Sequence, residues 1–376
     1  MENPFRKFHT LQALEGLDFK VPLDLYLNRY FRLHKAIGSK DRKVIGDLIY
    51  GIMRWKGLID IYTPDEKTWG RRLATFLQLD PEAHRYDPTL PMHDRLSFPE
   101  SLFSLLAEQY GAKQGGELCL ISNTSAKTTI RVNTLKTTRD FLFKKWDHLY
   151  DIALTASSPY GITFNKKIPL FQLDEFKRGF FEIQDEGSQL IGELVAPNPG
   201  DLVMDYCGGS GGKTLAFAHK LDNKGQIFVH DIRSGALLEA RKRLKRAGIQ
   251  NVQLLFPDSP NLKKLKKKMD WILVDAPCTG TGTYRRNPDM KWRFTLPFLA
   301  QFIADQRVIF ERALSFLKPG GKIVYATCSI LEGENGAQVD HFLKTYPLKL
   351  ITPPLSLLPQ IDGMDGFFGA LFEKTH

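Results

Sequence analysis

The sequence contains no run of eighteen apolar residues, so it predicts no transmembrane helix. Its first residues, Met1–Lys7, lack the apolar core of a signal peptide, which predicts a cytoplasmic location. Cysteines occur only at positions 119, 207, 278 and 328; there is neither a Cys-x-x-Cys pair nor a His-Glu-x-x-His motif. The chain therefore lacks these common metal-ligand spacings, and we expect free thiols, no bound metal and no membrane partner.

Acidic residues are outnumbered by basic ones, and the formal net charge is +10. Such an excess favours a polyanionic partner, because neutralising phosphates releases their counterions. The basic residues form three groups along the chain. Charge runs usually lie on solvated helix faces, and this is the interpretation of the first two groups. The third group follows Cys278 and is predicted to contact RNA. The three groups are residues 241–246, residues 263–268, and Arg285, Arg286, Lys291 and Arg293.

The hydrophobic pattern changes twice along the 376 residues. Apolar residues recur at helical spacing in the first third, which predicts an all-helical domain over residues 1–124. The β-branched run Lys127–Asn133 opens a small α+β unit predicted for residues 125–183. Strands and helices then alternate regularly, which predicts a doubly wound parallel sheet, a Rossmann-like α/β domain, over residues 184–376.

Two cysteines each follow a short apolar run: Cys278 lies in Asp275–Thr283 and Cys328 in Tyr325–Ser329. The carboxyl ends of parallel strands share one edge of a sheet, so the two thiols are predicted to converge beside Asp275. Either cysteine alone is more simply interpreted as a small buried hydrophobe. Together they suit methylation of cytosine C5, which needs a thiolate at C6, a carboxyl group at N3 and help in releasing the product. The residues alone do not decide which thiol is the nucleophile.

A glycine-rich turn follows the first strand of the predicted sheet. It lacks the correct offset for a P-loop, and it suits either a dinucleotide or S-adenosyl-L-methionine, between which the cysteine pair favours the latter. Asp231, at the end of the next strand, is predicted to bind the ribose diol. Asp258 is predicted to meet the adenine amino group, or else only to cap a turn. The turn contains Cys207, Gly208, Gly209, Ser210, Gly211, Gly212 and Lys213.

These features resemble the bacterial rRNA cytosine-C5 methyltransferases of the RsmB (Sun/Fmu) type, in the NOL1/NOP2/Sun family. The helical third resembles the NusB-like RNA-binding domain of that group, through Leu33–Lys35, Gly38–Arg42 and Tyr50–Arg54. In the rest of the chain, the similar motifs are Arg131–Lys136, Gln184–Ser188, the glycine-rich turn, Asp275–Trp292, Gln306, Lys318–Gly321, Tyr325–Asn335 and Asp365–Ala370.

The resemblance implies roles for individual residues. Cys328 is implied as the C6 nucleophile, Cys278 as the residue needed for product release, Asp275 as the contact to the cytosine edge and to the cofactor, and Lys213 as a neighbour of the pocket. The 207–213 turn, Asp231 and Asp258 would surround S-adenosyl-L-methionine. The predicted RNA contacts are Arg131, Asn133, Arg285, Arg286, Lys291 and Arg293.

The predicted function is thus methylation of cytosine C5 in small-subunit (16S) rRNA by a protein that acts as a monomer. The alternatives are a tRNA methyltransferase and a non-catalytic NusB-like RNA-binding factor. One departure from the family is the turn itself, where Gly208-Gly209-Ser210 replaces the usual Ala-Ala-Pro. Because glycine makes the backbone more flexible, weaker cofactor affinity is predicted.

Overall fold

The computed structural model describes residues 3–63 and 66–376, and the chain divides into two compact units. The first contains residues Met1–Ser125 and Thr283–Leu299, and the second contains Ala126–Gly282 and Ala300–His376. Within the described residues, no helix is both long enough and apolar enough to span a membrane.

The first unit is helical, and no strand precedes Thr128 in the described part of the chain, in agreement with the sequence. Its long third helix turns Ile45, Ile49 and Ile52 towards one face, where all three are fully buried. The first helix begins after Asn3, whose side chain accepts a hydrogen bond from Arg6 N. The helices are α1 (Pro4–Glu15), α2 (Leu23–Leu33), α3 (Ser39–Tyr62), α4 (Trp69–Gln78), α5 (Met92–Arg95), α6 (Glu100–Tyr110) and α7 (Ala112–Ser122), with a 3-10 turn at Pro81–His84.

Residues 283–299 belong to this helical unit, although the sequence placed them inside the 184–376 domain. The Lys291 ammonium is buried and donates to Arg54 O and to Asn123 Oδ1, each at 2.6 Å. The neighbouring Trp292 donates from its indole to Met53 O at 2.6 Å. These contacts explain the grouping, because the buried Lys291 ammonium and the Trp292 indole N–H find their acceptors within the helical unit.

The second unit contains two sheets, of which the smaller has the strand order β2-β3-β1-β4 with every pairing antiparallel. A separate apolar cluster, centred on the buried Trp146, packs against it. Its elements are β1 (Thr128–Val132), α8 (Arg139–Trp146), β2 (Ile152–Leu154), β3 (Gly161–Phe164), α9 (Asp174–Lys177) and β4 (Phe181–Ile183), with a 3-10 turn at Leu170–Gln172.

The larger sheet has the order β10-β12-β9-β8-β5-β6-β7, with β11 paired to β12. Strands β5 to β9 run parallel, as the sequence predicted, but β10 to β12 are antiparallel additions. The elements are α10 (Glu186–Glu193), β5 (Leu202–Asp205), α11 (Gly212–Phe217), β6 (Gln226–His230), α12 (Ser234–Ala247), β7 (Val252–Leu255), α13 (Asn261–Lys264), β8 (Met269–Asp275), α14 (Leu296–Leu314), β9 (Leu317–Thr327), α15 (Gly336–Thr345), β10 (Leu348–Leu350), β11 (Leu355–Leu357) and β12 (Phe367–Lys374).

Replacing Trp292 by Ala should destabilise the helical unit. The change removes a large packed ring and the hydrogen bond from its indole to Met53 O, so we expect a loss of about 3 kcal/mol in the free energy of unfolding. Urea denaturation followed by circular dichroism measures it. Leu296→Ala in the same segment, where the side chain is half exposed, is the matched control and should cost under about 0.5 kcal/mol. Equal losses in the two variants would contradict the anchoring role of Trp292.

Candidate active site

Three parallel strands end at the same edge of the large sheet: β5 at Asp205, β8 at Asp275 and β9 at Thr327. The loops that leave β8 and β9 carry Cys278 and Cys328. The sheet therefore brings together the two cysteines that the sequence predicted to converge, although fifty residues separate them.

The two thiols lie in hydrogen-bonding contact, with their sulfur atoms 3.3 Å apart. The hydrogen bond from Cys278 lowers the pKa of Cys328, and the Lys213 ammonium acts in the same direction. The same hydrogen bond, together with burial, raises the pKa of Cys278. Either sulfur could donate this hydrogen bond, and the directions of the two pKa shifts favour Cys278 as the donor and Cys328 as the more acidic thiol. The reactive form of a cysteine is the thiolate, so the electrostatics favour Cys328 as the nucleophile.

Lys213 and Asp275 form an ion pair beside the thiols, with Lys213 Nζ donating to Asp275 Oδ2 at 2.7 Å. Burial opposes the charge on Lys213, but the carboxylate more than compensates and raises its pKa. The lysine therefore stays protonated, while the Asp275 side chain keeps about a third of its surface exposed. A carboxylate and an ammonium are both available at the site for a polar ring.

A buried polar network behind the cysteines escaped the sequence analysis. Glu334 accepts hydrogen bonds from Thr279 N at 2.9 Å and from Gln306 Nε2 at 3.0 Å, and Gln306 also donates to Pro277 O. Burial raises the pKa of Glu334, although the hydrogen bonds that it accepts partly oppose this. The network fixes both ends of Pro277–Thr279, the segment that carries Cys278. Glu334 lies within the motif Tyr325–Asn335, but nothing in the sequence separates it from the exposed Glu332.

The glycine-rich turn follows β5, and its backbone is held against the end of β6. Gly209 N donates to Asp231 Oδ2 at 2.8 Å. Burial works against the charge on Asp231, but hydrogen bonds from Arg233 and Gly209 lower its pKa overall. Sequence reasoning missed Arg233, which donates a hydrogen bond to each oxygen of Asp231. Asp258 is exposed in the turn after β7, at the same edge of the sheet.

The structure gives a reason for the absence of Ala-Ala in this turn. A Cβ on Gly208 would lie 2.4 Å from Val229 Cγ1, which is a clash. Gly209 has a φ of 52°, in the left-handed region that favours glycine. Alanine at either position would therefore strain this chain.

Several features of the turn suit S-adenosyl-L-methionine. Asp205 is buried, and its Oδ1 atom has no hydrogen-bond partner among the described residues. An amino group of a ligand could donate the missing hydrogen bond. Burial raises the pKa of this carboxyl to about 7, although the Thr214 hydroxyl donates to it. A Cβ on Gly212 would meet nothing within 4 Å, so there is open space beside the turn. The side chain of Ile232 is 79% exposed next to Asp231, an apolar surface for a ring to cover.

The predicted RNA contacts need correction, because most of these side chains are buried. Arg131 donates to Gln184 Oε1 at 2.8 Å, and Asn133 Nδ2 donates to Gly179 O and Ala247 O. Arg285 and Lys291 are buried in the helical unit. The remaining two, Arg286 and Arg293, are partly exposed, and Arg293 contacts Asp289 and Phe19 O. The residues predicted from the motifs to contact RNA therefore mostly make contacts within the protein.

Comparison with known proteins agrees with this geometry. Residues 193–373 match the model of the family described as 16S rRNA methyltransferase RsmB/F. A protein of Vibrio cholerae serotype O1 named ribosomal RNA small subunit methyltransferase B is 33% identical over 307 residues, which cover 77% of this chain and 69% of that protein. The chain belongs to this family. The resemblance predicted from the sequence is confirmed.

Solved structures support the same fold. A methyltransferase homolog protein from Pyrococcus horikoshii is 26% identical, with a TM-score of 0.68 over 77% of this chain and 99% of that one. NSun6 from the same organism, solved with SFG, is 21% identical, with a TM-score of 0.67 over 74% and 99%. Together with the family, these likenesses establish a Rossmann-like methyltransferase domain, and the chain is an enzyme that uses S-adenosyl-L-methionine.

Cys328 should be alkylated first by iodoacetamide, because its pKa is lowered while burial raises the pKa of Cys119 to about 12 and also raises that of Cys207. Lys213→Met removes a cation that favours the thiolate, so the pH at which Cys328 is half reactive should rise. Peptide mass spectrometry across a pH series measures this shift. Preferential labelling of Cys278 would contradict the assignment of the thiolate.

Asn133→Ala should lower the free energy of unfolding by about 2–3 kcal/mol, because it leaves the buried Gly179 O and Ala247 O without their donor. Urea denaturation measures this loss. In the protein that remains folded, RNA affinity should be unchanged, as fluorescence anisotropy with a labelled rRNA fragment can check. Arg286→Ala is the comparison variant, in which affinity rather than stability should fall.

Proposed function

We propose that this enzyme methylates C5 of a cytosine in small-subunit rRNA, with Cys328 as the nucleophile that adds to C6. The observation that carries the proposal is the pair of sulfur atoms 3.3 Å apart beside the Lys213–Asp275 ion pair. Cytosine C5 becomes nucleophilic only after a group has added at C6, and a thiolate is well suited to that addition.

S-adenosyl-L-methionine supplies the methyl group when bound. The thiolate of Cys328 forms the bond to C6, and the negative charge that develops on the ring is offset by the Lys213 ammonium, while Asp275 accepts from the 4-amino group. These two groups are already oriented by their 2.7 Å hydrogen bond, so little reorganisation is needed.

Product release requires transfer of the C5 proton to water, re-formation of the C5–C6 double bond from that electron pair and cleavage of the bond from C6 to sulfur. Cys278 suits this step, because its thiol donates to the Cys328 sulfur and so stabilises it as the leaving thiolate. The Glu334 network holds the Cys278 segment in place for this contact. The two cysteines thus have different roles, one in addition and one in expulsion.

Small-subunit rRNA is proposed as the substrate because the related protein of Vibrio cholerae carries that name and because the family is described as 16S rRNA methyltransferases. The net charge of +10 agrees with a nucleic-acid substrate. The predicted domain over residues 1–124, which forms most of the helical unit, is proposed to be a NusB-like RNA-binding domain, and its helices are consistent with this.

Cys328→Ala should reduce methyl transfer by at least about a thousandfold, as expected for loss of a nucleophile, and should form no covalent RNA adduct. Cys278→Ser should instead accumulate an adduct that survives denaturing electrophoresis, because release is impaired. The assay uses methyl-labelled S-adenosyl-L-methionine with unmodified small-subunit rRNA, followed by digestion and detection of labelled 5-methylcytidine.

Cys119→Ala is the matched control, since this thiol lies in the helical unit, and it should keep its activity if the protein folds. A trapped adduct in Cys328→Ala would reverse the roles of the two cysteines. Label appearing in unmodified tRNA and not in rRNA would keep the chemistry and overturn the proposed substrate.

A further inference from the structure

The turn at Cys207–Gly212 is rich in glycine, and its order has to come from outside its own backbone. Gly209 and Gly211 have φ values of 52° and 80°, both in the left-handed region. Glycine loses more conformational freedom on ordering than any other residue. A turn of this composition binds a ligand tightly only if the protein orders it beforehand, because otherwise binding bears the entropic cost.

Arg243, on helix α12, reaches the middle of this turn. Its Nη1 atom donates to Ser210 O at 3.0 Å and to Ser210 Oγ at 2.8 Å. One arm of the guanidinium therefore fixes both the backbone and the side chain of the residue that stands where the family has proline. Serine in place of proline makes the backbone less rigid, but its hydroxyl also gains a defined hydrogen-bond partner in Arg243.

The other side of the guanidinium is anchored on the small sheet. Arg243 Nε donates to Glu182 Oε2 at 3.1 Å, and Glu182 is almost completely buried. Glu182 lies on β4, opposite Arg131 of β1, and its second oxygen accepts from Arg246. Glu182 thus has a fixed position, and Arg243, whose side chain is only 17% exposed, is fixed by it.

We infer that Arg243, held by Glu182, is a positioning residue that orders the turn for S-adenosyl-L-methionine in place of the family's proline. The inference rests on the assignment of this turn to the cofactor, which is part of the proposed function. Arginine is required rather than lysine, because one planar fork has to serve the carboxylate and both oxygens of Ser210 at once.

The test measures the dissociation constant of S-adenosyl-L-methionine by isothermal titration calorimetry, without RNA. Arg243→Met should weaken binding about tenfold, the size of effect expected when charge-assisted hydrogen bonds are lost. The direction of the change in affinity distinguishes two explanations. This ligand carries a net positive charge, so removing a protein cation would strengthen binding if only long-range electrostatics changed.

The neutral product S-adenosyl-L-homocysteine gives a second readout. Loss of order in the turn should raise the dissociation constants of both ligands by the same factor. An electrostatic effect would change the dissociation constant of the charged ligand more than that of the neutral one. Ser210→Ala should weaken binding about threefold in the wild-type background, consistent with one neutral acceptor, and should add nothing in the Arg243→Met background. The affinity of Arg243→Lys for S-adenosyl-L-methionine should lie between those of the wild-type protein and Arg243→Met.

The matched control is Arg241→Met, which removes the same charge from an exposed position of α12 and should not weaken binding. Far-UV circular dichroism establishes that each variant is folded, and if Arg243→Met is not, Ser210→Ala and Arg243→Lys carry the test. The inference is overturned if Arg243→Met binds within twofold of wild type, or if Ser210→Ala costs as much in the double variant as alone. Failure of the wild-type protein to bind would overturn the cofactor assignment instead.

Discussion

The parallel pairing of β8 with β9 is the constraint on which the site depends. Asp275 lies opposite Ala326 in that register, so the loops that leave the two strands begin side by side. A shift by one residue would turn every side chain of a strand to the other face of the sheet. The register is in turn specified by burial, because the apolar stretches 271–274 of β8 and 323–326 of β9 are buried and are flanked by polar residues that a shift would carry into the core. The core thus determines the separation of the thiols.

Charge then distinguishes two chemically identical side chains. Cys278 and Cys328 share one hydrogen bond, and such a bond favours the thiolate on the accepting sulfur and the thiol on the donating one. The Lys213 ammonium lowers the pKa of Cys328, whereas the Glu334 carboxylate contributes to raising that of Cys278. The ion pair with Asp275 keeps the lysine charged despite its burial. The hydrogen bond between the two thiols, aided by the Lys213 ammonium, therefore favours the thiolate on Cys328.

Sequence reasoning predicted the parts of the fold that depend on local pattern. The helical first third, the β-branched opening of the small unit and the parallel strands β5 to β9 all follow from periodicity. It did not predict the antiparallel strand β12, because the segment at 365–370 was recognised as a motif and not as a partner of β9. Nor did it predict the placement of residues 283–299, since nothing in their composition shows that Lys291 finds its partners in α3 and beside α7.

At the site, too, local sequence pattern predicted some residues, whereas the environment of others depends on contacts with distant segments. Asp275, Cys278 and Cys328 were predicted to converge because each follows a recognisable strand, and the resemblance placed Lys213 beside them; the structure brings the four side chains together. Arg131 and Asn133 were misjudged because a polar residue in a motif has the same identity whether it faces RNA or a buried carbonyl. Only its neighbours in space decide, and those come from segments more than forty residues away.

The Cys278 segment also shows how one loop can be held from two directions. Its start is the end of β8, and its middle is fixed by Glu334 through Thr279. Its continuation past Gly282 enters residues that fold with the helical unit, where Trp292 and Lys291 are anchored. A loop whose ends both lead into ordered structure loses little further entropy when a substrate binds. The chain on both sides of this loop is therefore ordered.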